Sequence, residues 1–238
     1  MNAQMCLFDQ EYSQGNVIQF PVQKTTVSHN YRKGGEQTVY PIKKKEDLQA
    51  VAAWLNENAD PKYLLGFVLG INLGLRASEL LSLTVSDVMN SDGTIKFVED
   101  YEDTTDRIAV HQRKVHKKRN IYLNQACVDI LNWYFSNHFC KGQYLFSSRE
   151  GGHIRPDTFR KVLKAAAQAC GIKQNIGTHT LRKTFGYQHY NQFHDIQHLQ
   201  RLFGHSSPLI TMRYIGVTEE DEKFAYNVMN LDVTSSIF

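Results

Sequence analysis

One stretch of 36 residues, from His179 to Tyr214, brings histidine, arginine and tyrosine side chains close together in sequence. It contains three segments, which read His179-Thr180-Leu181-Arg182-Lys183-Thr184-Phe185-Gly186, Leu202-Phe203-Gly204-His205-Ser206-Ser207 and Thr211-Met212-Arg213-Tyr214. His179 and Arg182 are three residues apart, so both project from one face of a helix. His205 follows a glycine and precedes Tyr214 by nine residues. Cations, an imidazole and a phenol are therefore expected to meet around one ligand.

Helix signals dominate the chain around this stretch. Apolar residues recur at helical spacing from Glu46 onward, and capping residues or prolines open further segments. The predicted helix starts are Asp60-Pro61, Asn124, Pro156, Thr178, Asp195 and Ser207-Pro208. Strand-like runs begin at Thr94, Arg107 and Asn120. We therefore expect an α+β fold that is mainly α-helical, with a small antiparallel β-sheet on one side.

The net charge of +3 conceals a strongly basic centre. Residues 107–214 carry a net charge of +13, whereas residues 1–106 carry −6 and residues 215–238 carry −4. Such a block favours a polyanion, with nucleic acid as the first candidate, although a solvated basic face is the alternative. A predicted hairpin concentrates five cations, at Arg113, Lys114, Lys117, Lys118 and Arg119. This hairpin can lie on phosphates, or it can simply keep a sheet edge from pairing.

The sequence argues against several other classes of protein. Four cysteines without CxxC spacing indicate reduced, packed thiols and not a disulfide framework. No signal-peptide pattern opens the chain, and the longest apolar stretch, from Tyr63 to Leu75, is too short to span a bilayer. We expect a cytoplasmic protein with no membrane partner.

Arg76 stands at the end of the apolar helix predicted from Pro61. A buried arginine is costly without an anionic partner, and Glu79 lies three residues further on. Two interpretations remain open. The two residues form a structural ion pair, or Glu79 orients the guanidinium toward a ligand phosphate.

Tyr214 is the candidate nucleophile. A phenol is a weak nucleophile at neutral pH because its ordinary pKa is about 10. It becomes competent where cations stabilise the phenolate and the transition state. Arginine suits that role because its planar fork grips two phosphate oxygens.

Three further histidines, His189, His194 and His198, lie in the same stretch. A zinc site is the alternative interpretation for them, since His194 and His198 are four residues apart. No acidic or cysteine ligand accompanies them, so we expect no metal site.

Together, these motifs resemble the catalytic domain of tyrosine recombinases, the phage integrase family. Gly74-Leu75-Arg76-Ala77-Ser78-Glu79-Leu80 is similar to the segment holding the family's first catalytic arginine. Lys114 falls where the family places a strand-borne lysine, with Lys117 and Lys118 as alternatives on the same hairpin. The remaining motifs correspond to His179-Thr180-Leu181-Arg182, Gly204-His205 and Tyr214. The resemblance covers roughly residues 46–230.

The resemblance implies a role for each site residue. Tyr214 would attack the scissile phosphodiester, giving a 3′-phosphotyrosine and a free 5′-hydroxyl. Three residues would hold the phosphate oxygens, namely Arg76, Arg182 and His205. Lys114 would protonate the leaving oxygen, and His179 would assist proton transfer. No ATP, metal or other cofactor would be needed. The expected DNA contacts are Arg113, Lys117, Lys118, Arg119 and Lys183.

The expected function is site-specific DNA recombination, serving integration, excision or inversion. The alternatives are a type IB topoisomerase-like DNA strand transferase and a catalytically silent DNA-binding regulator with the same fold. The resemblance also implies a homotetramer on double-stranded DNA, accessory DNA-bending or directionality proteins, and a nucleoid-associated location in a bacterial or phage host.

We expect three parts along the chain. Residues 1–45 form a polar arm or linker, residues 46–217 the catalytic domain, and residues 218–238 a tail. The tail carries an apolar stripe suited to docking on another subunit, at Phe224, Val228 and Leu231. Family members usually carry a core-binding domain before the catalytic domain, whereas some 45 polar residues stand there in this sequence. We therefore expect the arm or an accessory protein to supply part of the DNA-binding surface.

Overall fold

The computed structural model describes residues 38–96, 108–112, 117–138, 142–217 and Lys223. The elements within these residues are, in chain order, α1 (Lys45–Asn58), α2 (Pro61–Leu73), α3 (Ala77–Leu81), α4 (Val85–Val88), β1 (Ile108–Gln112), β2 (Lys117–Ile121), α5 (Gln125–Asn137), α6 (Pro156–Ala169), α7 (Thr180–Phe193), α8 (Ile196–Phe203) and α9 (Pro208–Ile215). The fold is mainly α-helical with a small antiparallel β-hairpin, as predicted.

Helix α2 is the apolar centre of the fold. It begins as predicted, because the Asp60 carboxylate accepts the Lys62 backbone N–H at 3.1 Å and Pro61 occupies the first turn. Gly74 ends it in the left-handed region, at φ 58°. The helix packs against α1, α5 and α7, which explains why apolar side chains occupy nearly all of its faces.

Strands β1 and β2 pair antiparallel, with Ile108 opposite Ile121 and Gln112 opposite Lys117. The predicted start of a strand at Asn120 is wrong, because β2 begins at Lys117 and the ladder includes the basic residues before Asn120. Cross-strand pairing can extend through residues of modest β-propensity, which a local pattern does not reveal. Residues 113–116, which connect the two strands in sequence, lie outside the described residues.

The run predicted as a strand at Thr94 does not join this hairpin within the described residues. Ile95 instead forms an isolated antiparallel bridge with Met89, just after α4. The Lys96 backbone N–H donates to the Val88 carbonyl at 2.9 Å. This segment is therefore a short return of the chain onto α4.

Helices α7, α8 and α9 enclose a second, smaller apolar cluster. Its buried residues are Leu199, Phe203 and Ile215. The backbone of α7 comes close to this cluster at Gly186, where a Cβ would lie 2.6 Å from Ile215 Cγ2 and 2.8 Å from the Phe203 ring. Only glycine permits this approach without displacement of a neighbour, so Gly186 brings the three helices together.

Part of the predicted arm packs against α7. Pro41 and Ile42 are buried, and the Ile42 N–H donates to Thr184 Oγ1 at 2.9 Å. Gln188 Nε2 donates to the Lys43 carbonyl at 2.7 Å. These contacts join residues just before α1 to the helix that follows His179.

Among the residues described, no helix is both long and apolar enough to cross a bilayer. Three stripe residues of the tail, Phe224, Val228 and Leu231, lie outside the described part of the chain.

Candidate active site

Arg76 is the N-cap of α3, and Glu79 holds it at two points. The Arg76 backbone N–H donates to Glu79 Oε2 at 2.9 Å, and the guanidinium Nη1 donates to Oε1 at 2.7 Å. Glu79 is buried, while the Arg76 side chain keeps 28% of its surface exposed. The structure therefore contains the ion pair between Arg76 and Glu79 that was one of the two interpretations of the sequence. This pair also fixes the direction of the guanidinium, so the two interpretations are compatible.

Arg182 is buried on α7, with only 2% of its surface exposed. Its Nη1 donates to the Gly74 carbonyl at 2.7 Å, and its Nη2 donates to the Phe203 carbonyl at 3.0 Å. Both carbonyls stand at helix C-termini, of α2 and α8, where the backbone carries partial negative charge. The guanidinium carbon also lies 4.1 Å from the centroid of the Phe203 ring. Arg182 therefore joins two helix ends at the site.

His205 is positioned by the turn that follows α8. Gly204 adopts φ 66°, the His205 N–H donates to the Gln200 carbonyl at 3.1 Å, and Gln200 Nε2 donates to the His205 carbonyl at 3.0 Å. The imidazole Nδ1 lies 3.1 Å from Thr211 Oγ1. That hydroxyl donates to the Ser207 carbonyl at 3.2 Å, so its oxygen is placed to accept from Nδ1–H. In this tautomer the other ring nitrogen, Nε2, carries no proton.

Tyr214 on α9 meets His179 at the start of α7. The Tyr214 hydroxyl lies 3.3 Å from His179 Nδ1. Helix α7 begins one residue later than predicted, because His179 itself is the N-cap and Thr178 is not. Thr180 Oγ1 accepts the Gly177 N–H at 3.0 Å and so closes the turn before the helix. At the N-cap, the His179 imidazole is exposed and faces the phenol.

Aromatic rings enclose the phenol of Tyr214. Its centroid lies 5.0 Å from that of His205, 5.6 Å from that of Phe203 and 6.3 Å from that of His179. Every one of these contacts is edge-on, with interplanar angles between 69° and 82°. The phenol is thereby held in one orientation.

The surroundings of Tyr214 and of His205 favour the neutral form of each group in the protein without a ligand. Burial raises the pKa of Tyr214, and the positive charges of Arg182 and Arg76 oppose that rise without cancelling it. Burial also lowers the pKa of His205, and the same two guanidinium groups lower it further. An anion entering between these cations would favour the protonated imidazole and would be neutralised by both arginines.

Four of the predicted residues thus surround Tyr214, namely Arg76, His179, Arg182 and His205. The arrangement can bind a tetrahedral anion next to a phenol whose hydroxyl contacts a candidate base. Such a constellation suits attack of the phenol on a phosphodiester. Lys114 and Arg113 lie outside the described residues, so their places in the site stay predictions. Lys117, Lys118 and Arg119 lie on β2.

Within the described residues, no group of three or more histidine, cysteine or acidic side chains is arranged to hold a metal ion. His194 and His198 do not share a helix. The first ends α7 in a left-handed conformation at φ 52°, and the second lies on α8. His189 and His198 instead stack, with their centroids 5.5 Å apart.

Sequence reasoning missed two residues that shape the site, Thr211 and Phe203, and it gave a third, Lys183, a different role. Thr211 orients His205, and Phe203 supports Arg182 with both its ring and its carbonyl. Lys183, predicted as a DNA contact, places its Nζ 5.1 Å from the centroid of the Tyr214 ring. A signal for Thr211 was available, since it lies one helical turn before Tyr214. The contacts of Phe203 and Lys183 depend on how α7 packs against α8 and α9.

The chain is similar in sequence to known recombinases. A family model described as "Phage integrase family" matches residues 44–221. The probable integrase/recombinase YoeC of Bacillus subtilis strain 168 is 38% identical over 191 residues, which cover 80% of this chain and 96% of that protein. A tyrosine recombinase of Pseudothermotoga lettingae is 30% identical over 154 residues, which cover 65% of this chain and 49% of that protein. The chain therefore spans nearly all of the first relative and about half of the second.

Solved structures show the same fold. XerA recombinase superposes with a TM-score of 0.61 at 21% identity, covering 84% of this chain and 68% of that one. The catalytic domain of bacteriophage HP1 integrase superposes with a TM-score of 0.51 at 20% identity, covering 80% and 96%. XerH recombinase, bound to its palindromic difH substrate after cleavage, superposes with a TM-score of 0.61 at 18% identity, covering 81% and 54%. These likenesses confirm the predicted fold class.

Proposed function

Because the chain belongs to the phage integrase family, we propose that it is a site-specific DNA recombinase that cleaves and rejoins strands through Tyr214. The observation that carries the chemical assignment is the contact of the Tyr214 hydroxyl with His179, beside the charges of Arg76 and Arg182. A protein that only binds DNA has no need of a phenol held in this way.

Cleavage begins when the phenol oxygen attacks the phosphorus of the scissile phosphodiester. A bond forms between Tyr214 Oη and phosphorus, and the bond from phosphorus to the 5′-oxygen breaks. In the tautomer with an unprotonated Nδ1, His179 accepts the phenol proton at 3.3 Å. The pKa of Tyr214 is raised in the protein without DNA, so loss of this proton belongs to the reaction and does not precede it.

Negative charge grows on the non-bridging oxygens as the transition state forms. Arg76 and Arg182 supply the fixed positive charge, and His205 supplies a donor once its imidazole is protonated. Arg76 is oriented by Glu79, and Arg182 is held by two backbone carbonyls, so little reorganisation is needed. Removal of one such donor costs on the order of 3 kcal/mol in the barrier.

The leaving 5′-oxygen requires a proton, and family resemblance assigns this step to Lys114. The bond energy of the phosphodiester is conserved in the phosphotyrosine, so resealing by a 5′-hydroxyl needs no ATP. In the proposed mechanism the arginines and protonated His205 supply the positive charge that stabilises the transition state, so no metal ion is used. The basic residues 107–214 supply the electrostatic attraction to double-stranded DNA.

Exchange between two duplexes requires several protomers to act together, and we propose a homotetramer on DNA with accessory DNA-bending or directionality proteins. Integration, excision and inversion share the same cleavage chemistry. The tail from residue 218 onward is the segment proposed to link neighbouring subunits.

The test is covalent capture of the protein on nicked suicide duplexes made from the ends of the host mobile element. Wild-type protein should form an adduct that resists denaturant, and Tyr214→Phe should form none. Equal adduct yields from the two proteins would show that Tyr214 is not the nucleophile. Relaxation of supercoiled plasmid without recombination would favour the topoisomerase-like alternative. Tight DNA binding without any adduct would favour the regulator.

A further inference from the structure

Lys183 lies against the face of the candidate nucleophile. Its Nζ is 5.1 Å from the centroid of the Tyr214 ring, whereas the His179, Phe203 and His205 rings meet Tyr214 edge-on. A cation within about 6 Å of a ring centroid is attracted by the π face. Lys183 therefore adds a cation over the ring of a phenol whose other close ring contacts are T-shaped.

The ammonium of Lys183 is partly withdrawn from water. The residue is half-buried, and burial lowers the pKa of its ammonium. Among the described residues, ion pairs are formed by Lys62, Arg76, Arg160 and Lys161, and Lys183 has no carboxylate partner there. A partly desolvated cation is costly unless something compensates it. In this structure the electron-rich face of Tyr214 does so.

We propose that Lys183 is a positioning residue for Tyr214, holding the phenol ring by its face and stabilising the negative charge that develops as the phenol oxygen attacks. This inference rests on the proposed function, because it concerns the same nucleophile. It differs from the sequence prediction, which assigned Lys183 to contact with DNA.

The physical reason lies in how charge changes on the ring. The neutral phenol attracts a cation through its quadrupole, and a phenolate delocalises part of its full negative charge into the same ring. The attraction of Lys183 therefore grows as the proton leaves. Within the part of the chain that the structure describes, the other charged or titratable groups that act on the phenol are Arg182, Arg76 and Glu79, together with the two histidines that contact it. Lys183 adds a cation on the ring, whereas the arginines also face the substrate phosphate.

The two roles for Lys183 predict different measurements. A phosphate contact contributes affinity, and its removal flattens the dependence of log Kd on log salt by about 0.9. A positioning residue contributes to the rate at saturating DNA and to its pH dependence. Its removal leaves the salt slope unchanged.

The experiment compares Lys183→Met, which keeps the length of the side chain, with Lys183→Arg, which keeps the charge. Lys62→Met is the matched control, because Lys62 Nζ lies 5.7 Å from the Tyr63 ring, on α2. Single-turnover adduct formation on the suicide duplex is measured at saturating DNA between pH 6 and pH 9. Kd is measured against salt with an uncleaved duplex. Lys183→Gln serves as a second neutral variant if Lys183→Met does not fold.

We expect the neutral variant to lower the saturated rate about 3- to 30-fold, the range that cation–π energies imply. The loss should be larger at low pH, because ionisation of Tyr214 becomes harder, and Lys183→Arg should recover most of it. A saturated rate and pH profile equal to wild type would overturn the proposal, as would a weaker Kd with a flatter salt slope. Absence of any adduct from wild-type protein would instead count against the proposed function, so the two failures are distinguishable.

Discussion

The guanidinium carbon of Arg182 lies 4.1 Å from the centroid of the Phe203 ring, while Nη2 of the same group donates to the Phe203 carbonyl at 3.0 Å. The side chain and the backbone of one residue thus hold the arginine together. Phe203 is the last residue of α8, and its ring also contacts Tyr214 and His205 edge-on. The arginine proposed to bind phosphate and the proposed nucleophile are therefore supported by the same buried ring, so the packing of α8 affects both.

Replacement of Arg182 by lysine should disable the site even though the charge is retained. An ammonium cannot donate in fixed directions to the Gly74 and Phe203 carbonyls and also present a planar fork to a phosphate. We expect single-turnover adduct formation to fall about 100-fold or more and the free energy of unfolding to fall by about 1–3 kcal/mol.

The control for this change is Arg160→Lys on α6, where Arg160 forms an exposed pair with Asp157. It should leave both quantities near wild type, since exposed pairs contribute little. Single-turnover capture and urea unfolding measure the two effects. An Arg182→Lys protein with wild-type cleavage would mean that Arg182 serves the fold alone.

Binding of DNA should be accompanied by proton uptake at His205. Burial and the charges of Arg182 and Arg76 lower the pKa of His205 in the free protein, so the imidazole is neutral near pH 7. A phosphate between the same groups adds negative charge and raises that pKa. Affinity should be greatest below the pKa of the free protein and should fall as pH rises toward the higher pKa of the complex.

Calorimetric titration of an uncleaved duplex in buffers of different ionisation enthalpy measures this uptake directly. The Tyr214→Phe protein prevents cleavage during the titration. His205→Asn should abolish the His205 part of the uptake while keeping the folded state. Identical proton uptake with and without His205→Asn, both measured in the Tyr214→Phe protein, would exclude His205 as the group that gains the proton.

Substitution of Gly186 by alanine should destabilise the cluster of α7, α8 and α9. The new Cβ would lie 2.6 Å from Ile215 Cγ2 and 2.8 Å from the Phe203 ring, closer than real contacts allow. Overpacking of this kind typically costs about 1–3 kcal/mol. Gln192→Ala, an exposed change on the same helix, is the matched control.

Urea unfolding of both variants measures the cost at Gly186. The new Cβ would displace Phe203, whose ring contacts Tyr214, and Ile215, which follows Tyr214 on α9. We therefore expect cleavage by Gly186→Ala to fall as well, at temperatures where the protein is still folded. Wild-type stability for this variant would show that the helices separate at little cost.

His189 should make stability depend on pH. Its Nδ1 is buried and has no hydrogen-bond partner among the described residues. Burial, and then the charge of His198, lower the pKa of His189, while Asp195 opposes this effect. Because the pKa of His189 is lower in the folded state, the neutral imidazole contributes to the free energy of unfolding. This contribution is fully present above the unfolded pKa of about 6.5 and is lost as pH falls through the folded pKa.

His189→Phe should remove this loss, because phenylalanine keeps the ring contacts with Phe185 and Phe193 and carries no polar atom. We expect a gain of about 1 kcal/mol near pH 5 and a smaller gain at pH 8. Thermal unfolding between pH 5 and pH 8 provides the comparison. Parallel pH profiles for wild type and variant would locate the titrating group elsewhere.

Much of the fold was predictable because its signals are local. Asp60 with Pro61, Asp195, and Ser207 with Pro208 start helices where expected, since capping depends on residues within one turn. The strand β2 was misplaced because its basic residues pair with a partner strand, and that pairing is not encoded in their own propensity. His179 became the N-cap in place of Thr178 for a similar reason, because it is the Thr180 hydroxyl that closes the preceding turn.

The sequence by itself determined which chemical groups the candidate site contains, because motif spacing places Arg76 next to Glu79, His179 one turn before Arg182, and His205 nine residues before Tyr214. Only the tertiary structure decided how these groups act on one another. The burial of Arg182 against Phe203, the approach of Tyr214 to His179 and the contact of Lys183 with the phenol ring all join separate helices. Such contacts follow from how helices pack in three dimensions, and the spacing of residues along one helix does not specify that packing.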